Sequence, residues 1–551
     1  MSQERRGRMS KSKKEEFIDE LKFSLDKSDL VKSIALLRYF SDLDEKAKMM
    51  VLFELSKADD NLSFPLLGYL ATIGEKEPVK GKLYELLIER AFGAPHLLEE
   101  WLADDKIDDK TIFVNIAGEL QMETAVSLLE EILNSSMDNV TIISAIKALG
   151  LIASPSSMSG ISEYLYSNDF ELVYVAIRSL GEIGGPTVVK KLSEAVGRND
   201  EADFLILDIM ASNQDQDSLQ MLNEMLMSHF SHLRNRAKDH LVKIGKKAVP
   251  ILLENLKQPD PDLLIHTLNI LGLIGDPSVD IPIRKLLQNE PPDANVRFAA
   301  YEALGFIRSA RSAMSLANGL NDPVYQVRIA AAKAIDRNIS DTLLHGLKNL
   351  VEPKDEDAKN IVGSFIDAEA DQFFDTLIGW TPFQEMAVEY LTNQASEDIR
   401  DHFVSILRVR GDNSLADAIM SVPKEEKERG GLNIYVVDDS KLMLNIYTKK
   451  LNQLGYEPVL FQYPAEAIEA ATEKKPDILI TDLNMPEING LQLTEKIREK
   501  YPSKQLPIMM ITTQSDVEDE EVARKAGIDI VLHKPFSDDD LKENIEKLTN
   551  Q

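Results

Sequence analysis

The chain has 551 residues, 44% apolar and 28% charged, with a formal net charge of −30 and no cysteine. Its length exceeds what one hydrophobic core supports, so more than one domain is expected. The negative charge argues against nucleic acid or anionic lipid as the main partner, and the lack of cysteine excludes disulfides and thiolate metal sites and fits a reducing cytoplasm, the expected location.

Residues 1–14 carry Arg5, Arg6, Arg8, Lys11, Lys13 and Lys14 and are expected to be a disordered basic arm. Residues 15–100 have helical apolar spacing without a regular period, as a cap or divergent repeats would. From 101 to 422 a phrase close to Leu-Gly-x-Ile ends one helix and precedes a second. It is centred on Gly118, Gly150, Gly181, Ala211, Val242, Gly272, Gly305, Asp336 and Asp367, at intervals of 30 to 33 residues. In one unit Val173, Ala176, Ile177, Leu180 and Ile183 share a helix face. Gly184 and Gly185 then end that helix, and Pro186 starts the next. Such a pair cannot bury its apolar stripes alone, so an all-α solenoid is expected. Phrases such as VRFAAYEALGFI at Val296 to Ile307 and VRIAAAKAI at Val327 to Ile335 resemble HEAT repeats of the short bacterial, phycobilisome-lyase-like kind. That resemblance implies architecture, with Arg178, Arg297 and Arg328 expected to hold the repeats together.

Residues 423–431, charged and ending in Gly430 and Gly431, read as a linker. No apolar run reaches the roughly 18 residues of a membrane span, and no signal-peptide core opens the sequence, so membrane insertion is not expected. Beyond the linker, at 432–551, the short apolar runs Ile434–Val437, Val459–Phe461, Ile478–Thr481, Ile508–Thr512 and Ile530–Leu532 alternate with amphipathic helical segments. Alternation of this kind indicates an α/β, doubly wound, five-stranded parallel sheet.

Functional groups in such sheets gather at the carboxyl ends of the strands. There the first strand leads to Asp438 and Asp439, the third to Asp482, the fourth to Thr512 and Thr513, and the fifth to Lys534 and Pro535. Three clustered carboxylates repel one another unless a cation neutralises them, and oxygen ligands suit Mg²⁺. Asp439, Asp482 and the backbone carbonyl of Asn484 are the expected ligands, with Asp438 acting largely through water. Asp482 is then the expected nucleophile, forming an acyl phosphate, with the Thr512 hydroxyl and the Lys534 ammonium on the phosphoryl oxygens. His533 has no metal-ligand partners in the sequence and reads as a strand-end side chain.

The motifs VVDDS at Val436 to Ser440, TDLNMPEINGL at Thr481 to Leu491, MMITTQ at Met509 to Gln514 and HKPF at His533 to Phe536 are similar to those of the response-regulator receiver domain, flavodoxin-like in fold. The resemblance implies phosphotransfer to Asp482 from a histidine kinase or phosphotransfer protein, with Mg²⁺ obligatory. It also implies an inward shift of Thr512, a response on the face of the fourth helix, fifth strand and fifth helix, and a cis Lys534–Pro535 bond. Asn484 and Gln514 occupy positions that tune dephosphorylation, while Val531 stands where the family often has an aromatic switch residue.

The expected whole is a two-component response regulator, a phosphoacceptor and scaffold, not an enzyme acting on another substrate. Its solenoid is expected to bind a protein partner on the concave face, and a homodimer is compatible with the sequence. The alternatives are a lyase-like or other enzymatic activity in the solenoid, or a receiver that acts as a phosphate sink.

Overall fold

The computed structural model describes residues 11–73, 78–135, 138–421, 431–485, 487–513, 517–534 and 536–549. Most of the expected basic arm lies outside the described residues, but helix Lys11–Asp26 begins within it and buries Phe17, Ile18 and Leu21. The irregular stretch that follows is helical, with helices Leu30–Leu37, Glu45–Leu55, Asp60–Thr72, Val79–Gly93 and Pro95–Ala103. The linker at 423–430 is outside the described residues.

Each centre of the repeated phrase falls near the end of a unit's first helix. Those helices are Thr111–Glu119, Asn139–Ile152, Phe170–Ile183, Asp200–Asn213, Ser231–Ile244, Pro261–Ile274, Ala294–Ile307, Tyr325–Arg337 and Glu356–Asp367. Recurrent aspartates start several of them: Asp138, Asp169, Asp260 and Asp293 accept from backbone N–H groups in the first turn. The recurring glycines mark where successive first helices touch. A Cβ at Gly118 would stand 2.7 Å from Ala148 Cα, and one at Gly272 2.9 Å from Ala303 Cα. Only a hydrogen side chain permits that approach.

Arginine at the fourth position of a first helix ties the preceding loop down. The Arg297 guanidinium donates to Asp322 at 2.7 and 3.1 Å and to the carbonyls of Pro291 and Pro292, while Arg328 donates to the carbonyls of Asp322 and Pro323. Arg178 departs from expectation. It sits elsewhere along its helix, is exposed, and takes no part in this bonding.

Compactness divides the chain at Asn213/Gln214 rather than at the linker, giving units Met1–Asn213 and Gln214–Gln551. The C-terminal sheet therefore belongs to the same compact unit as the later repeats. Its strands are β1 (Asn433–Val437), β2 (Glu457–Phe461), β3 (Ile478–Thr481), β4 (Ile508–Thr512) and β5 (Ile530–His533), all parallel in the order β2-β1-β3-β4-β5. β3 and β4 are buried throughout and read as unbroken apolar runs, as central strands covered on both faces should. The chain leaves β1 to one side for β2 and crosses to the other for β3, so a crevice opens at their carboxyl ends.

Candidate functional site

The ladder hydrogen bonds continue one residue past the strands and place the key side chains. Asp482 N donates to Val437 O at 2.9 Å, and Lys534 N donates to Thr512 O at 2.8 Å. Both residues are thereby held at the crevice lip. The Lys534 ammonium bridges two carboxylates, 2.7 Å from Asp482 Oδ1 and 2.9 Å from Asp438 Oδ2. The other Asp482 oxygen, Oδ2, accepts from Asn484 N at 2.7 Å, and Asp438 Oδ1 accepts from Ser440 N at 2.9 Å. Thr512 is buried at the end of β4, and Thr513 is half-buried at the crevice. Val531 lies in β5 opposite Met510 and packs partly into the core. Gln514 and Pro535, and with them the expected cis bond, lie outside the described residues. His533 Nε2 is 3.1 Å from Glu520 Oε1, turned to a neighbouring helix as a strand-end side chain.

Burial pushes the Asp438 carboxyl up to about 7, with Asp482 and Asp439 adding to the rise and Lys534 opposing it. Burial and the nearby Asp482 also raise Asp439, against Lys238 and Lys534. Burial works against the Lys534 ammonium, but Asp438 and Asp482 more than offset it and raise its pKa well above the ordinary lysine range. One ammonium thus faces three carboxylates. That excess of oxygen donors and negative charge suits a hard divalent cation. Lys534 holds two of the three.

Residues not singled out from the sequence complete the site. A Cβ on Gly490 would stand 2.2 Å from Asp482 O, so the loop after β3 can fold onto the Asp482 backbone only with glycine there. Gly490 lies inside the TDLNMPEINGL motif, which was its only signal. The repeats also take part. A cleft of about 330 Å³ is lined on one side by Asp438, Asp439, Asp482 and Lys534, and on the other by Lys238, Phe298 and Glu302 of the repeats' first helices. Asn295 Nδ2 donates to Lys534 O at 2.6 Å. Burial pushes Glu302 up to about 7, with Asp438 and Asp439 adding to the effect and Arg337 opposing it.

The helix that follows β1, Lys441–Gln453, also bonds to the repeats. Lys441 Nζ and Asn445 Nδ2 donate to the Glu369 carboxylate at 2.7 and 2.8 Å, and Lys449 Nζ donates to Asp367 Oδ2 at 2.6 Å. These residues are four apart and share one stripe of the helix. The docked face is therefore the first helix and the strand-end loops, not the face of the fourth helix, fifth strand and fifth helix.

Residues 434–546 match the family model of the response regulator receiver domain, and residues 126–205 and 249–336 match that of HEAT repeats. The chemotaxis protein CheY1 of Helicobacter pylori is 42% identical over 119 residues, which span 21% of this chain and 94% of that protein. A chemotaxis protein CheY homolog of Campylobacter jejuni is 38% identical over 117 residues, 21% of this chain and 90% of the relative. Among solved structures, chemotaxis protein CheY4 of Vibrio cholerae has 27% identity and covers 21% of this chain and 98% of its own, with a TM-score of 0.21. The receiver domain of sensor histidine kinase PA1611 from Pseudomonas aeruginosa PAO1, solved with a magnesium ion in its active site cleft, has 24% identity. It covers 22% of this chain and 100% of its own, with a TM-score of 0.21.

Proposed function

The chain belongs to the response-regulator receiver family, and from that membership and the site geometry we propose that Asp482 accepts a phosphoryl group from phosphohistidine on a histidine kinase or phosphotransfer protein. The observation that carries this reading is the Lys534 ammonium bridging Asp482 and Asp438 at 2.7 and 2.9 Å on the lip of a parallel sheet. In the transfer, a carboxylate oxygen of Asp482 forms the new O–P bond as the donor's N–P bond breaks. Asn484 N and Lys534 fix the acceptor's two oxygens beforehand, so little orientation is left to be gained in the transition state. The Lys534 ammonium stays charged and offsets the charge on the phosphoryl oxygens, with the Thr512 hydroxyl as the second expected contact. Asp439, Asp482 and the Asn484 carbonyl would hold Mg²⁺, with Asp438 through water. Mg²⁺ supplies further charge neutralisation at the phosphoryl group.

The HEAT repeats are read as the output element, acting through protein contacts and not as an enzyme. Their direct bonding to the receiver around Asp482 favours this over a pure phosphate sink. Among the described residues no helix is long and apolar enough to cross a membrane.

The test is intact-mass spectrometry after incubation with a small-molecule phosphodonor and Mg²⁺, alongside Asp482→Asn and an EDTA control. One labile phosphoryl group gained by the wild-type chain alone, and only with Mg²⁺, supports the proposal. No gain by a folded wild-type chain would refute it.

A further inference from the structure

Asp367 stands at the repeat centre that five earlier repeats fill with glycine and the preceding one with Asp336, and it is buried to 3% exposure. Its Oδ2 accepts from three donors: the hydroxyls of Tyr325 and Tyr390 and the Lys449 ammonium. Lys449 Nζ in turn donates to both hydroxyls at 2.7 Å and lies 4.3 and 5.4 Å from the centres of the Tyr325 and Tyr390 rings. The three N–H bonds of one ammonium thus meet three acceptors, between two aromatic faces. Burial raises both phenols above their ordinary range, with Asp367 adding to it, so they stay protonated and can donate to the carboxylate. The repeats make room for this arrangement. A Cβ on Gly363 would stand 2.6 Å from Tyr390 Cε2, so that ring reaches Asp367 only over a glycine.

We propose that Tyr325, Asp367 and Tyr390 form a primary-ammonium binding site on the HEAT repeats, and that Lys449 is its resident ligand, latching the receiver with Asp482 facing the cleft. A guanidinium would not substitute. Its donors lie in a plane and point apart, whereas the socket converges on a single nitrogen. With no ammonium in place, the Asp367 charge is left buried without a countercharge, the costly half of a broken buried pair. The latch therefore governs whether the receiver stays docked, independently of whether Asp482 takes a phosphoryl group.

Amide hydrogen exchange on the full chain tests this, with Lys449→Ala as the main variant and propylammonium, the part of the side chain that substitution removes, as the probe. Peptides from helix Lys441–Gln453 should exchange at least roughly tenfold faster in the variant. Millimolar propylammonium should restore their protection, while equal propylguanidinium should not. Asp367→Asn should lose protection likewise and not be rescued, which covers the case in which Lys449→Ala is poorly folded. Unchanged exchange in both variants would overturn the latch. Faster exchange in Lys449→Ala that propylammonium fails to reverse, or that propylguanidinium reverses equally, would overturn the ammonium site. None of these readouts involves phosphorylation, so failure of the phosphoacceptor proposal would be recognised separately by mass.

Discussion

Alanine substituted at Gly272 and at Gly346 makes one chemical change at two helical positions in the same compact unit, yet the two should shift stability in opposite directions. A Cβ at Gly272 would stand 2.9 Å from Ala303 Cα, whereas ordinary contact begins at 3.4 Å, so the two helix backbones must part by about 0.5 Å. Overpacking of this kind costs about 1–3 kcal/mol, while alanine's better helix propensity returns about 1 kcal/mol. A net loss of about 0–2 kcal/mol is expected, centred near 1 kcal/mol. At Gly346, in helix Asp341–Val351, nothing lies within 4 Å of the added Cβ, so only the propensity gain of about 1 kcal/mol remains. Scanning calorimetry should show the unit's transition falling in Gly272→Ala and rising in Gly346→Ala, by about 2 °C per kcal/mol or less. If Gly272→Ala is as stabilising as Gly346→Ala, successive first helices are not in backbone contact, and the account of the recurring glycines fails.

Replacing Lys534 with Met removes the cation 2.7 Å from Asp482 Oδ1, so Mg²⁺ should bind roughly tenfold tighter by titration calorimetry while phosphoryl uptake slows. Asn255 Nδ2 donates to Asn223 Oδ1 at 2.7 Å and to Thr267 Oγ1 at 3.0 Å, and all three residues are buried. Asn255→Ala should therefore cost about 1–3 kcal/mol in urea unfolding, because the Asn223 amide is left unsatisfied. The hydrogen bond that His402 Nε2 donates to Asp371 Oδ1, 2.7 Å away, raises the His402 pKa above its ordinary value, with burial opposing. The charged ring's stabilisation is thus fully present below pH about 6.5 and lost as pH rises through the folded value. Between pH 6 and 8 the wild type should lose stability relative to His402→Gln, and parallel curves would refute the pairing.

The cluster at the strand ends was legible because the sheet restricts where its residues can sit. A parallel sheet collects function at its carboxyl ends, so strand position alone selects Asp438, Asp439, Asp482, Thr512 and Lys534. The repeats were legible from period alone. What could not be read was pairing across distance: Asn295 and Lys534 lie 239 residues apart, and Lys449 and Asp367 lie 82 apart. Local pattern carries no record of such contacts. Asp367 did leave a trace, as one of two charged residues, with Asp336, in a column otherwise held by small or apolar ones, but nothing in the sequence named its partner. Arg178 misled for a related reason. Residue type suggested a loop tether, whereas the tether belongs to the fourth helical position, where Arg297 and Arg328 stand.

Contact between backbones has a mechanical consequence. Where Gly272 meets Ala303 and Gly305 meets Ala334, the nearest atoms across the joint are an alanine Cα and its Cβ methyl, which have no rotamer to turn aside under load. Those same helices line the cleft opposite Asp482. A push delivered there cannot dissipate through rotamer changes at the nearest joint. It passes to the next helix as displacement, and this stretch of the array answers as a stiff beam, not as a stack of independent hairpins.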